Sequence, residues 1–299
     1  GLVCDIGGNS MELAEVDKGK VGRRISTPLG PFRLQQVKGG SDGLRDHVQK
    51  ILEDAAKKLG RGHEQIYLVG GSWRAIARLD MERADYPMTV LHEYRMSTDD
   101  VLATVKWIGN QNLSDMRSKL GISASRMELV PLASQVLRQL VISLEPKSLA
   151  VSSYGIREGL LYEQMPESLR SRDPLLEAAR FSERQMARMP GFGKRLYQFL
   201  EPIFKDAPPQ RDRLIRAACL LHDTTWRTHP DYRADACFDN VTRANMAALS
   251  HPERVFLGLS LLHRYKNSRG NSAMAPLFKL LSDDEIRDAE VLGKAMRFG

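Results

Sequence analysis

Residues 4–12 read CDIGGNSME. Asp5 closes an apolar run, LVCDI; two glycines, Asn9 and Ser10 follow; Glu12 opens the next run. Leu2 to Ile6 reads as a short strand and Met11 to Val16, alternating imperfectly, as a second. Asp17-Lys18-Gly19-Lys20 reads as a hairpin turn in which glycine takes positive φ, and Val21 to Thr27 returns as a third strand. Three hairpin-linked strands at the front of a chain that then alternates strands with helices predict a mixed sheet with helical faces.

Outward from that turn, Gly39-Gly40 breaks the chain. Leu44, Val48, Ile51, Leu52, Ala55 and Leu59 then recur at helical spacing up to a capping Gly60. Ile66 to Val69 reads as a buried strand that runs into Gly70-Gly71-Ser72 and a helix through Leu79. Ser97 or Thr98 caps a helix to Ile108. Leu149 to Ser152 is strand-like, and Gly155 turns into the helix IREGLLYEQM. The character changes near Pro166. A helix rich in Arg and Ala follows Pro174, Leu196 to Phe204 is apolar, and Pro208-Pro209 interrupts the chain. Leu214 to Leu221 and Val255 to Tyr265 read as buried helices, and Ser282 with Glu285 forms a capping box for the last one. Residues 1 to 165 therefore read as an α/β domain and residues 166 to 299 as an all-helical one.

Composition sets few bounds. The chain has 299 residues, 42% hydrophobic and 27% charged, as a globular protein does. No apolar run approaches the ~20 residues of a membrane span, and no secretory signal is visible. The chain opens with Gly1 and enters a strand at once, which leads us to expect an upstream part. Cys4, Cys219 and Cys237 are odd in number and widely spaced, so they read as buried thiols of a reducing compartment, not as a disulfide frame or zinc site. A net charge of +7 favours anionic ligands. There is no Lys/Arg block interleaved with aromatics of the kind that binds nucleic acid.

The chemistry of CDIGGNSME follows from its residue types. Glycines at a strand end let backbone N–H groups approach an anion, and Asn9 and Ser10 add side-chain donors. A phosphate alone would disfavour two adjacent carboxylates. A divalent cation reconciles them: hard oxygens of Asp5 and Glu12 hold Mg²⁺, which bridges to phosphate. The same residues also suit a plain hairpin with two surface acids. A second turn, YLVGGSWRAIARL, has the form strand, Gly-Gly-Ser, helix, and the helix start is a partial positive site. Together the two turns read as two walls of one phosphate cleft.

Here the sequence resembles a known family. CDIGGNSME is similar to the phosphate-binding turn, a variant of DIGGGSTE, of the exopolyphosphatase and guanosine pentaphosphate phosphohydrolase (Ppx/GppA) family. LVGGSWRAIARL resembles that family's second glycine turn, and SSYGIREGLLYEQM its segment closing the α/β domain. The three occur in family order across most of residues 1 to 165, and the helical half, with CLLHDTTWRTHPDYRAD, resembles the C-terminal domain of many members. The resemblance implies the second domain of an actin-like ATPase (ribonuclease H-like) fold followed by an HD-like helical domain. It implies cytoplasmic hydrolysis of the terminal phosphoanhydride of polyphosphate or guanosine pentaphosphate, with Mg²⁺, in a homodimer that binds neither nucleic acid nor membrane. By resemblance Asp5 and Glu12 are catalytic and metal-binding; Gly7, Gly8, Asn9, Ser10, Gly70, Gly71 and Ser72 hold phosphate oxygens; and Arg126 clamps phosphate. Asn9 stands where the family usually has glycine. The family's first domain, which carries the glutamate that activates water, is not in this sequence, so hydrolysis by this chain itself is an open expectation. A ligand-binding module without turnover and a kinase of the same superfold are the competing readings.

Arg157-Glu158 reads as an ion pair anchoring the domain end. Arginines 180, 184, 188, 195, 211, 213 and 216 are candidates for a basic track, although solvated helix faces explain most of them. His222-Asp223 matches the core pair of HD phosphohydrolases, but residues 167–221 contain no histidine. A degenerate site with His222 hydrogen-bonded in the core is therefore expected.

Overall fold

The computed structural model describes residues 1–269 and 273–299. It divides into two units, Gly1–Gln164 and Met165–Gly299.

In the first unit β1 (Leu2–Ile6), β2 (Met11–Asp17) and β3 (Lys20–Thr27) form an antiparallel meander. The β2–β3 turn places Lys18 (φ 47°) and Gly19 (φ 78°) in the left-handed region, as a two-residue hairpin whose twist matches its strands requires. α1 (Pro31–Leu34) and α2 (Gly40–Leu59) follow. α2 buries Val48, Leu52, Ala55 and Leu59 on one stripe. Then come β4 (Ile66–Val69), α3 (Gly71–Arg83), β5 (Arg95–Met96), α4 (Thr98–Ile108), α5 (Leu113–Leu120), α6 (Ala124–Met127), α7 (Val130–Leu144), β6 (Leu149–Val151) and α8 (Ile156–Gln164). Ser97 caps α4 in a reciprocal box with Asp100.

The strands form one sheet in the order β3-β2-β1-β4-β6-β5. β1–β4 and β4–β6 are parallel, and the remaining pairs are antiparallel. The sheet is thus mixed, as its hairpin start predicts. β1 alternates: Leu2, Cys4 and Ile6 are buried, whereas Val3 and Asp5 are half-buried. Met11 and Leu13 of β2 share the buried face, and α2, α3 and α7 supply its apolar partners. The core includes Trp73, Ile76, Val136, Leu137 and Leu140.

In the second unit α9 (Glu167–Arg170), α10 (Pro174–Met186), α11 (Phe192–Leu200), α12 (Pro209–Leu221), α13 (Pro230–Arg243), α14 (His251–His263) and α15 (Asp283–Ala295) pack with short 3₁₀ turns between some of them. Among the described residues no strand follows β6. α14 is buried nearly all round and contacts α12, α13 and α15. α14 and α15 approach so closely that a Cβ on Gly293 would lie 2.4 Å from the Ser260 carbonyl oxygen. Pro209 is the first residue of α12, where its missing N–H costs nothing. The capping box of Ser282 and Glu285 starts α15 as its sequence predicts. Among the described residues no helix is long and apolar enough to cross a membrane.

Candidate active site

The β1–β2 connection is closed by the Gly7 N–H donating to the Ser10 carbonyl at 2.9 Å. That closure puts Ile6 opposite Met11 and Asp5 opposite Glu12. Directly opposed residues of an antiparallel pair project from one face, so both carboxylates stand on the face away from the buried core. Asp5 is half-buried and Glu12 exposed. Glu12 is also opposite Ser26, whose Oγ donates to its Oε1 at 3.0 Å. Three polar side chains therefore run in a row across β1, β2 and β3.

The second glycine turn lies at the same strand end, because Val69 of β4 is the parallel partner of Asp5. Gly70 has φ 120°, and a Cβ there would meet the Ile6 carbonyl oxygen at 2.5 Å and Asp5 Oδ1 at 3.4 Å. Only glycine can join the strand to α3 this close to β1. Gly71 begins α3, and a Cβ on it would come within 3.2 Å of Arg126 Nε. Arg126, distant in sequence, thus lies against the second turn, and its side chain is exposed. Ser72 is buried, while Gly7 and Asn9 are exposed and Gly8 and Ser10 half-buried. Gly8 is small for packing reasons: a Cβ would fall 2.7 Å from the Phe32 ring, and Phe32 N–H donates to the Gly8 carbonyl at 2.8 Å.

Burial raises the Asp5 carboxyl above its ordinary value, and the Glu12 charge raises it further; Arg74 pulls the other way. Two acids side by side, one of them partly desolvated, favour a proton or a cation between them. Arg74 was not singled out by the sequence reading. Its Nε donates to the Gly70 carbonyl at 3.1 Å and its Nη1 to the Ser153 carbonyl at 3.5 Å. It ties the second turn to the loop before α8 and brings positive charge toward Asp5. Ser26 was missed too. Nothing in the periodicity of either segment marks these residues, whose roles come from the register and the loop packing.

Among the described residues no group of three or more His, Cys, Asp or Glu side chains gathers as a metal site. The Asp5–Glu12 pair is accordingly no closed cage. It fits Mg²⁺, which keeps several waters and takes one or two carboxylates together with phosphate oxygens.

Elsewhere the geometry redirects several expectations. Glu158 accepts from the Gly155 N–H at 2.7 Å, capping its own helix in place of a direct pair with Arg157. Arg180, Arg188, Arg211, Arg213 and Arg216 face Glu177, Asp223, Glu285, Asp173 and Asp212, so much of the supposed basic track is internally neutralised. His222 is buried with Nδ1 2.7 Å from the Cys219 carbonyl oxygen, and burial pushes its pKa down to about 4. Asp223 accepts from Arg188 Nε at 2.9 Å and Nη2 at 2.7 Å. The carboxylate of the His-Asp pair thus already faces a guanidinium. The three cysteines are buried, free thiols.

Residues 1–168 match the Ppx/GppA phosphatase family, and residues 203–299 match the exopolyphosphatase C-terminal family. The chain belongs to the Ppx/GppA phosphatase family. It is 25% identical over 295 residues to retrograde regulation protein 2 of Saccharomyces cerevisiae, an alignment covering 89% of this chain and 49% of that protein. Among solved structures it is similar to the Ppx/GppA phosphatase of Aquifex aeolicus, with 22% identity and a TM-score of 0.47 over 55% of this chain and 57% of that one. An exopolyphosphatase from Cytophaga hutchinsonii gives 20% identity and a TM-score of 0.46 over 54% and 55% of the two chains. The chain spans about half the length of the curated relative it matches.

Proposed function

We propose that the open end of the β1–β4 strands binds the terminal phosphoryl group of inorganic polyphosphate or guanosine pentaphosphate together with Mg²⁺, for hydrolysis of the phosphoanhydride. The reading rests above all on the register pairing of Asp5 with Glu12 on the exposed sheet face, beside both glycine turns. Asp5 and Glu12 would hold the metal or orient water. Gly7, Gly8, Asn9 and Ser10 offer donors on one side; Gly70, Gly71, Ser72 and the start of α3 offer them on the other. Arg126 lies against Gly71, where its guanidinium would meet phosphate oxygens. Bound Mg²⁺ would supply charge neutralisation at the phosphoryl oxygens. In the reaction a water oxygen attacks the terminal phosphorus, the bridging P–O bond breaks, and orthophosphate leaves with the shortened chain.

A second reading, binding without turnover, is favoured by two observations. Asn9 stands where the family turn usually has glycine, and the yeast relative is named as a regulation protein. The same experiment separates the two. Polyphosphate and Mg²⁺ are incubated with the wild type, Asp5→Ala and Glu12→Ala, and released phosphate and retained polyphosphate are measured. Release by the wild type and its loss in both variants supports hydrolysis. Retention without release from any of the three supports the binding reading. Equal release by all three removes both acids from the chemistry.

A further inference from the structure

The helical unit contains a cavity of about 360 Å³. Its volume falls at the lower end of the range of small-molecule sites. Ile203, Phe204, Ile215 and Leu292 give it apolar walls, and the exposed carboxylates of Asp206 and Asp288 stand among its lining residues. Arg211 lines this cavity and also a smaller one of about 170 Å³. The guanidinium carbon lies 3.8 Å from the centroid of the Phe256 ring, which fixes the plane of the group. Nη2 reaches Glu285 at a long 3.4 Å, and Nη1 is shut away from water with no hydrogen-bond partner. Nη1 is thus sealed behind the wall, and the donor with capacity for a further acceptor is Nη2, whose bond to Glu285 is long.

The opposite charge is close at hand. Glu285 and Asp288 sit three residues apart on α15, hence on one helix face about one turn from each other. Leu292 continues that face into the cavity. A cationic donor, an acid one helical turn from the donor's own partner and an apolar wall make a three-point pattern. It matches a molecule that carries an anionic oxygen, a nearby ammonium group and an apolar body.

We infer that this cavity is a binding site for a free apolar α-amino acid. Its carboxylate is received by Arg211, its ammonium by Asp288, and its side chain by Ile203, Phe204, Ile215 and Leu292. The site is independent of the phosphate chemistry proposed for the sheet end.

The test is isothermal titration of the full chain with L-leucine and L-phenylalanine, alongside 4-methylpentanoate and 3-methylbutylamine, which are leucine without its ammonium or its carboxylate. At least one of the two amino acids is expected to bind, with each half-molecule weaker by about tenfold or more, the loss of one charge-assisted contact. Arg211→Gln and Asp288→Asn should each weaken binding by a similar factor. Asp288 is exposed and its variant keeps the fold, which circular dichroism verifies, so a folding defect in Arg211→Gln leaves the test intact. No heat from either amino acid at about 10 mM, a concentration that detects even millimolar sites, overturns the proposal. So does equal binding of the half-molecules, or undiminished binding by folded Asp288→Asn.

Discussion

Asp5 bears a charge that its surroundings oppose: burial and the Glu12 carboxylate both raise its proton affinity. The consequence for stability has a definite sign. An acid whose folded-state pKa is raised costs nothing below the ordinary aspartate value of 3.8, becomes progressively unfavourable as pH rises through the folded value, and stays so above it. Asp5→Asn should therefore melt at a higher temperature than the wild type at pH 7, with the gap closing toward pH 3.5. Calorimetry across that range checks it, and a variant that melts lower at neutral pH contradicts the account. Mg²⁺ should raise the melting temperature of the wild type and leave Asp5→Asn less affected, since the cation removes the same repulsion. The pairing of Asp5 with Glu12 is legible in the numbering alone. Asp5 and Glu12 add to the same sum as Gly7 and Ser10, so one closing hydrogen bond between the last two fixes the first two as partners. Arg74 carried no such clue. Its bond to Ser153 exists only because β4 and β6 are neighbours, which is a fact of the sheet order and not of the local pattern.

At the scale of elements, the junction between β4 and α3 is the tightest point of the site. Gly70 must hold φ 120° and leave no Cβ against the Ile6 carbonyl. Gly70→Ala should cost about 1–3 kcal/mol from the backbone conformation alone, with the clash adding to it. Urea denaturation measures the loss, and a cost near zero would mean that the turn is looser than its geometry. Gly71→Ala is the milder counterpart, since its Cβ meets only the Nε of an exposed, flexible Arg126. It should leave stability nearly unchanged and weaken polyphosphate binding if Arg126 contacts the ligand. Helix boundaries with a cap signal were readable: Ser97, Ser282 and Gly60 all end or begin helices where their chemistry says. The stretch from Leu113 to Leu144 carries no comparable signal. α5 buries none of its residues, and α7, packed among α2, α3 and α4, buries Ser134, Gln139 and Ser143 along with its apolar residues. A helix buried on most sides loses the one-sided periodicity that identifies it. The two-residue β5 is too short to carry a pattern at all.

At the scale of the whole molecule, the α/β unit, Gly1–Gln164, and the helical unit, Met165–Gly299, respond differently to acid. In the helical unit His222 is held neutral by burial, with a pKa near 4 against an ordinary 6.5, and burial lowers His263 as well. A histidine whose folded pKa is depressed binds its proton more readily in the unfolded chain, so stability falls as pH drops below 6.5 and goes on falling to about 4. Asp223, held below its usual range by the bonds from Arg188, adds a loss of the same sign at lower pH, as its carboxylate takes up a proton. Asp5 in the α/β unit acts in the opposite sense, since protonation relieves it. Hydrogen exchange read by mass spectrometry as pH is lowered from 7 to 4.5, corrected for the intrinsic pH dependence of exchange, should thus show protection lost first in α12 and α14, while β1 and β2 hold. His222→Gln should flatten the decline between pH 6.5 and 4.5, because it removes the group whose proton uptake drives unfolding. Simultaneous loss across both units at one pH would show instead that they unfold as one cooperative body, and that the buried histidines do not set the order.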